Sequence, residues 1–164
     1  MGFNSITPML TSEQVSLTTT VAQFTLGSRV IYDGNEYVYV YNGAANSKIT
    51  TGQPAVMDIA QSLSSGYTVT VTNAASQAGV FAGVAQQTFN TGTYGWIMTR
   101  GLSLVALDAG QVSFNVNVRL ALAVDGGFAA APATMSTSPH YGISLNSIVT
   151  TVGTGKARIW GGCL

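Results

Sequence analysis

The sequence predicts an all-β domain: a compact barrel or sandwich of short antiparallel strands, with an extended N-terminal arm and little helix. Three observations predict it. Apolar and polar residues alternate over several stretches, most clearly Tyr67–Thr72 and Val112–Val124. Gly, Asn and Asp punctuate the chain between such stretches, where tight turns belong. No long segment keeps a helical period, and 46% hydrophobic content lets 164 residues bury a sizeable core without staples.

Residues 1–24 differ from the rest of the chain. They hold Thr7-Pro8, Thr11-Ser12 and the run Ser16–Thr20, with sparse apolar residues and no sustained period. This composition predicts an arm outside the core, with residues 25–164 as a single β-rich domain. The spaced apolar residues Phe3, Ile6, Met9, Leu10, Val15 and Leu17 are candidate contacts with a neighbouring subunit or another protein.

The domain opens with a strand at Ser28–Tyr32. Asp33-Gly34 is a hairpin signal, because glycine accepts the positive φ that a two-residue turn demands. Glu36–Tyr41 returns as EYVYVY. Ile49–Met57 carries Gly52 and Pro54, which predicts a turn into a short edge segment. Val56, Ile59, Ala60 and Leu63 share a helical face, so Val56–Leu63 is expected to form one or two turns. Tyr67–Thr72 sets Tyr and Val against three threonines, the pattern of a half-buried strand.

Strands come next at Val80–Ala85 and Tyr94–Thr99, joined by the polar connector Gln86–Thr93 with Asn90 and Gly92 as turn residues. Arg100-Gly101 breaks the second strand, which resumes at Leu102–Leu107; Asp108-Ala109-Gly110 is a turn. In Val112–Val124, the face Phe114, Val116, Val118, Leu120, Leu122, Val124 opposes Asn115, Asn117, Arg119, Ala121, Ala123. Asp125-Gly126-Gly127 closes that strand and Gly127–Pro139 is a small-residue loop. Tyr141–Val152 and Lys156–Trp160 complete the sheet around the turn Gly153-Thr154-Gly155. Trp96 and Trp160 are expected in or near the core.

Charge narrows the function classes. Charged residues are 7% of the chain, against about 25% in an ordinary soluble domain. Six basic residues balance six acidic ones. No apolar run is long enough for a membrane helix, and disorder needs low hydrophobicity with high charge. What remains is an ordered protein with a neutral polar surface, suited to permanent attachment. Six scattered cations make no basic patch, so nucleic acid is not an expected partner, nor is a membrane. Met1–Leu10 lacks the basic start and apolar run of a secretory signal. Cys163 is the lone cysteine and forms no internal disulfide.

Catalytic and cofactor motifs fail one by one. His140 is the only histidine, follows Pro139, and has no nucleophile-elbow pattern to serve. Gly153–Arg158, GTGKAR, lacks the upstream glycine and the hydroxyl residue of a phosphate loop, and a hairpin turn explains its glycines. Asp33 and Glu36 are too few for a calcium cage, and turn chemistry accounts for Asp33, Asp108 and Asp125. No enzyme, metal or cofactor is expected. Tyr37, Tyr39 and Tyr41 line one strand face. They form either a carbohydrate- or protein-binding ladder, or a layer that caps the barrel or packs against the arm.

Leu26–Gly52, LGSRVIYDGNEYVYVYNGAANSKITTG, resembles the opening of tailed-bacteriophage capsid decoration (cement) proteins, with a strand, an Asp-Gly turn, an aromatic strand and a Gly-Ala stretch. Ala82-Gly83-Val84-Ala85, then Tyr94-Gly95-Trp96 and Arg100-Gly101, resembles their central hairpin. The likeness spans residues 26–125; the C-terminal third matches in style alone. It implies a small β-rich virion protein, made in the host cytoplasm and bound to the outer surface of an icosahedral head. There it would clamp neighbouring major capsid proteins, as a homotrimer or a dimer. The classes that compete with it are a tail or head–tail structural protein, a carbohydrate-binding module using Tyr37, Tyr39 and Tyr41, and a hydrolase around His140.

Overall fold

In the computed structural model, the described residues are 11–43, 47–58, 67–71, 80–107, 118–123, 126–130, 142–144 and 154–160. Among these residues, a four-residue helix, α1 (Ser12–Val15), precedes ten strands. They are β1 (Arg29–Tyr32), β2 (Asn35–Asn42), β3 (Pro54–Met57), β4 (Thr68–Val71) and β5 (Phe81–Ala85), then β6 (Thr93–Ala106), β7 (Arg119–Leu122), β8 (Phe128–Ala130), β9 (Gly142–Ser144) and β10 (Thr154–Ile159). The fold is all-β and barrel-like, with mixed rather than purely antiparallel strands.

Pairing closes a ring. β2 pairs with β4, β4 with β3, β3 with β5, β5 with β6, and β6 returns to β2. The β2–β4 pair is parallel and the others are antiparallel. A second sheet runs β6-β10-β9-β7-β8. The Asp33-Gly34 hairpin forms as the sequence predicts: φ is 48° at Asp33 and 72° at Gly34, both positive as a two-residue type I′ turn requires. Arg29 and Glu36, cross-strand neighbours beside it, form an exposed ion pair at 2.8 Å, a geometry that contributes little in water.

One strand belongs to both sheets. β6 is 14 residues long, so the predicted break at Arg100-Gly101 is a bend rather than an interruption. Residues 93–100 pair with β2 and residues 101–106 pair with β10. At the bend Glu36 faces Arg100 while Tyr37 faces Met98, leaving Thr99 as the extra residue of a β-bulge. The Thr99 hydroxyl donates to the Glu36 carbonyl at 3.2 Å. The Leu102 amide donates to Asn35 Oδ1 at 2.9 Å, and a Cβ on Gly101 would collide with that same amide side chain.

Alternation sorts the apolar residues into three clusters. Val38, Val40, Ala55, Val69, Ala82, Ala85 and Ile97 fill the barrel, closed by Ile49 and Phe89. Ile49 and Phe89 exchange both backbone hydrogen bonds, so the polar connector contributes a plug to the core. The buried Asn42 amide ties the same region together, donating to the carbonyls of Ser47 and Asn90 at 3.1 and 3.2 Å. Phe81, Val84, Val105, Leu120, Phe128, Ala157 and Ile159 form the second core, under the second sheet. The third cluster, with Val15, Tyr39 and Trp96 among its members, lies outside the barrel.

Several sequence expectations change here. β3 is interior, flanked by β4 and β5, not an edge. Val56 and Met57 are strand residues, which excludes a helix starting at Val56; residues 59–66 lie outside the described set. β4, flanked by β2 and β3, is buried on both faces, including Thr68 and Thr70. Phe128–Ala130 is a strand, not loop, and Thr154 and Gly155 belong to β10 rather than to a turn. In β7 the predicted alternation holds, with Leu120 buried and Arg119 exposed; residues 108–117 lie outside the described set.

Candidate interaction surfaces

EYVYVY divides its residues by parity: Val38 and Val40 enter the barrel, and Tyr37, Tyr39 and Tyr41 point outward. The same parity operates on β6. Register sets Tyr41 opposite Tyr94, Tyr39 opposite Trp96 and Tyr37 opposite Met98. The result is a continuous aromatic wall on the outside of the barrel. Cross-strand aromatic pairs of this kind add to sheet stability.

The described part of the arm, residues 11–24, covers this wall. Thr11 caps α1 reciprocally with Gln14, each side chain accepting from the other's backbone amide. α1 carries Val15, buried in the aromatic cluster. Thr19 and Tyr94 exchange backbone hydrogen bonds at 2.9 and 2.7 Å, so the arm extends the edge of β6. Phe24 meets Tyr39 and Trp96 edge-on, with ring centroids 5.3 and 5.2 Å apart. The Gln23 amide donates to the Tyr39 hydroxyl at 3.0 Å. A cleft of about 330 Å³ remains between arm and wall, bordered by Gln14, Leu17, Thr19, Gln23, Phe24 and Trp96.

The sequence candidates therefore separate. Tyr37, Tyr39 and Val15 are buried inside the chain. Of the two roles open to the tyrosines, Tyr39 takes packing against the arm and Tyr37 is buried in the same cluster, so the two rings present no open ladder. Tyr41 is half-buried against Tyr94, at 4.6 Å between centroids. Leu17 is exposed. Phe3, Ile6, Met9 and Leu10 lie outside the described residues, as do His140, Cys163, Asp108 and Asp125. Sequence reasoning misses Phe24, Tyr94 and Met98, although Tyr94, Trp96 and Met98 alternate in the same way as the tyrosines of β2.

Burial raises the Tyr37 phenol above its ordinary value of 10.0; the charges of Asp33 and Tyr32 push the same way, and a hydrogen bond with the Asn35 side chain opposes them. The folded phenol thus holds its proton to higher pH than the unfolded one. Its contribution to stability is complete below pH 10.0 and is lost as pH rises past that value toward the folded pKa. Tyr37→Phe should flatten the alkaline limb of a stability-against-pH curve measured by urea unfolding. An unchanged limb would contradict this assignment.

The cations are not scattered in space. Arg100, Arg119, Lys156 and Arg158, four of the six in the chain, are exposed on β6, β7 and β10. Among the described residues, no three of His, Cys, Asp and Glu come together as a metal site, and no helix is long and apolar enough to cross a membrane.

No protein-family model matches this chain, and no curated protein matches it. Among solved structures, the fold is similar to the crystal structure of the head fiber gp8.5 N base of bacteriophage phi29. That likeness has a TM-score of 0.50 at 10% identity and covers 75% of this chain and 92% of that chain. This chain therefore shares its β-rich architecture with nearly the whole of a phage head-fiber base.

Proposed function

We propose that this chain is a structural protein of a phage virion, which binds the outer surface of an icosahedral head and clamps neighbouring major capsid proteins. The observation that carries this reading is the shared architecture with a head-fiber base. The low charge supports it too, because a chain with only 7% charged residues suits a protein held in an assembly. The mechanism is linkage: a ligand that binds the assembled lattice and not its separated subunits stabilises that lattice by mass action. Repetition around symmetry axes multiplies a modest interface, and a homotrimer suits that role, with a dimer as the second choice. A carbohydrate ladder is disfavoured, since Tyr37 and Tyr39 are buried in the aromatic cluster.

Purified protein should bind expanded, decoration-free heads with saturable, symmetric occupancy, seen in particle reconstructions, and should delay their disruption on heating. Removal of residues 2–10 should weaken binding and leave the domain folded. The cut stops there because Val15 and Thr19 hold the arm to the barrel. Density on tails instead of heads would favour a tail component, and no binding to any particle would end the reading.

A further inference from the structure

Net charge is zero, yet four of the six cations are exposed on β6, β7 and β10. On β10, Ala157 and Ile159 are buried in the second core while Lys156 and Arg158 are exposed. On β6, Ser103 and Val105 are buried, and Leu102 and Leu104 are 47% and 40% exposed. Register places Lys156 beside Leu104 and Arg158 beside Leu102. Residue 143 of β9 pairs with both Arg158 and Arg119. The two arginines thus lie two strands apart on one row, about 10 Å at ordinary strand spacing.

Arg100, just before the bend, extends this strip. With Arg158 it lines a cleft of about 410 Å³, bordered also by Trp160 and by Ile31, which is 76% exposed. The carboxylate lining the same cleft is Glu36, and Arg29 already holds it at 2.8 Å. Among the described residues of β7, β8, β9, β10 and of β6 beyond Gly101, there is no Asp or Glu.

We infer that the outer face of the second sheet is a docking surface for a protein partner whose contact patch is acidic, with apolar residues between its carboxylates. Charge complementarity names the occupant. Three of the four cations are arginines, whose planar forks bind carboxylates through two parallel hydrogen bonds. Leu102 and Leu104 stand beside Arg158 and Lys156 on the neighbouring strand. A phosphate backbone would leave these leucines against charge, whereas a protein patch covers them with apolar side chains. Placing that patch on the head shell rests on the function proposed above. Binding would then be steered by charge and weaken with salt, even though the chain as a whole is neutral.

The test uses the full chain and decoration-free heads. R119E/R158E should raise the half-saturation concentration about tenfold or more, and L102S/L104S should raise it as well. K48E makes the same kind of charge change on an exposed residue of the barrel half and should leave binding unchanged. All these side chains are exposed, so the melting temperature should stay at the wild-type value. Head binding by R119E/R158E equal to wild type overturns the inference, as does loss of duplex-DNA binding alone. If wild-type protein binds no head, the proposed function fails while the face remains testable. A synthetic peptide of alternating Glu and Leu should then bind wild type and not R119E/R158E, and binding unaffected by the reversal overturns the inference.

Discussion

Gly52→Ala should destabilise the domain by about 3 kcal/mol, from about 1–2 for a left-handed non-glycine residue and a similar amount for steric overlap. Gly52 sits at φ 84° in the turn between Thr50 and Gln53. Its amide donates to the Ala85 carbonyl and its carbonyl accepts from the Ala106 amide, both at 2.7 Å. It therefore joins the end of β5 to the end of β6. An added Cβ would lie 2.8 Å from the Ala106 nitrogen and 3.0 Å from the Val105 carbonyl carbon. Both are backbone atoms, so no rotamer change relieves the overlap. Gly34→Ala provides the comparison: φ is 72° there, but nothing lies within 4 Å of the added Cβ. It should cost only the conformational part, about 1 kcal/mol. Urea unfolding of the two variants separates the terms, and equal losses would show that the contact with β6 is unimportant.

Trp96→Ala should cost about 4 kcal/mol, within the usual range for removing a large buried aromatic. Trp96 is 1% exposed and meets both Phe24 and Tyr39 within the aromatic cluster. Its loss should also release the arm, read as faster hydrogen exchange at the paired amides of Thr19 and Tyr94. Trp96→Phe should cost far less than Trp96→Ala. The indole Nε1 is buried with no hydrogen-bond partner among the described residues, so phenylalanine keeps most of the apolar contact and removes an unsatisfied donor. Equal losses for the two substitutions would mean that the indole has a partner after all.

What was legible in the chain was local. Asp33-Gly34 declares its turn because so few residue pairs tolerate two positive φ angles in succession. Val80–Ala85 and EYVYVY announce strands by composition and alternation. What was not legible depended on neighbours distant in sequence. Arg100-Gly101 looks like a stop when read alone; the bulge opposite Glu36 and the Asn35 side chain turn it into a bend. Pro54 suggests an edge, yet as the first residue of β3 it is tolerated inside the sheet. The fate of the tyrosine face depends on Phe24 and Val15, which lie outside the strand and pack in the same cluster. Likewise, Arg100, Arg119, Lys156 and Arg158 look dispersed along the chain because strand pairing, not sequence separation, sets their spacing.

β6 has a mechanical consequence. It is the one covalent thread among the described strands that runs unbroken from the closed ring into the second sheet, with antiparallel partners on both stretches. Tension applied along it loads the β2 and β10 ladders in shear, so that many hydrogen bonds must yield together. A load across the strand would instead peel the same ladders one rung at a time. Resistance to force is set by the rate of unfolding rather than by equilibrium stability. The domain should therefore be anisotropic, strong when pulled between its two halves along β6 and weak when its edge strands are unzipped.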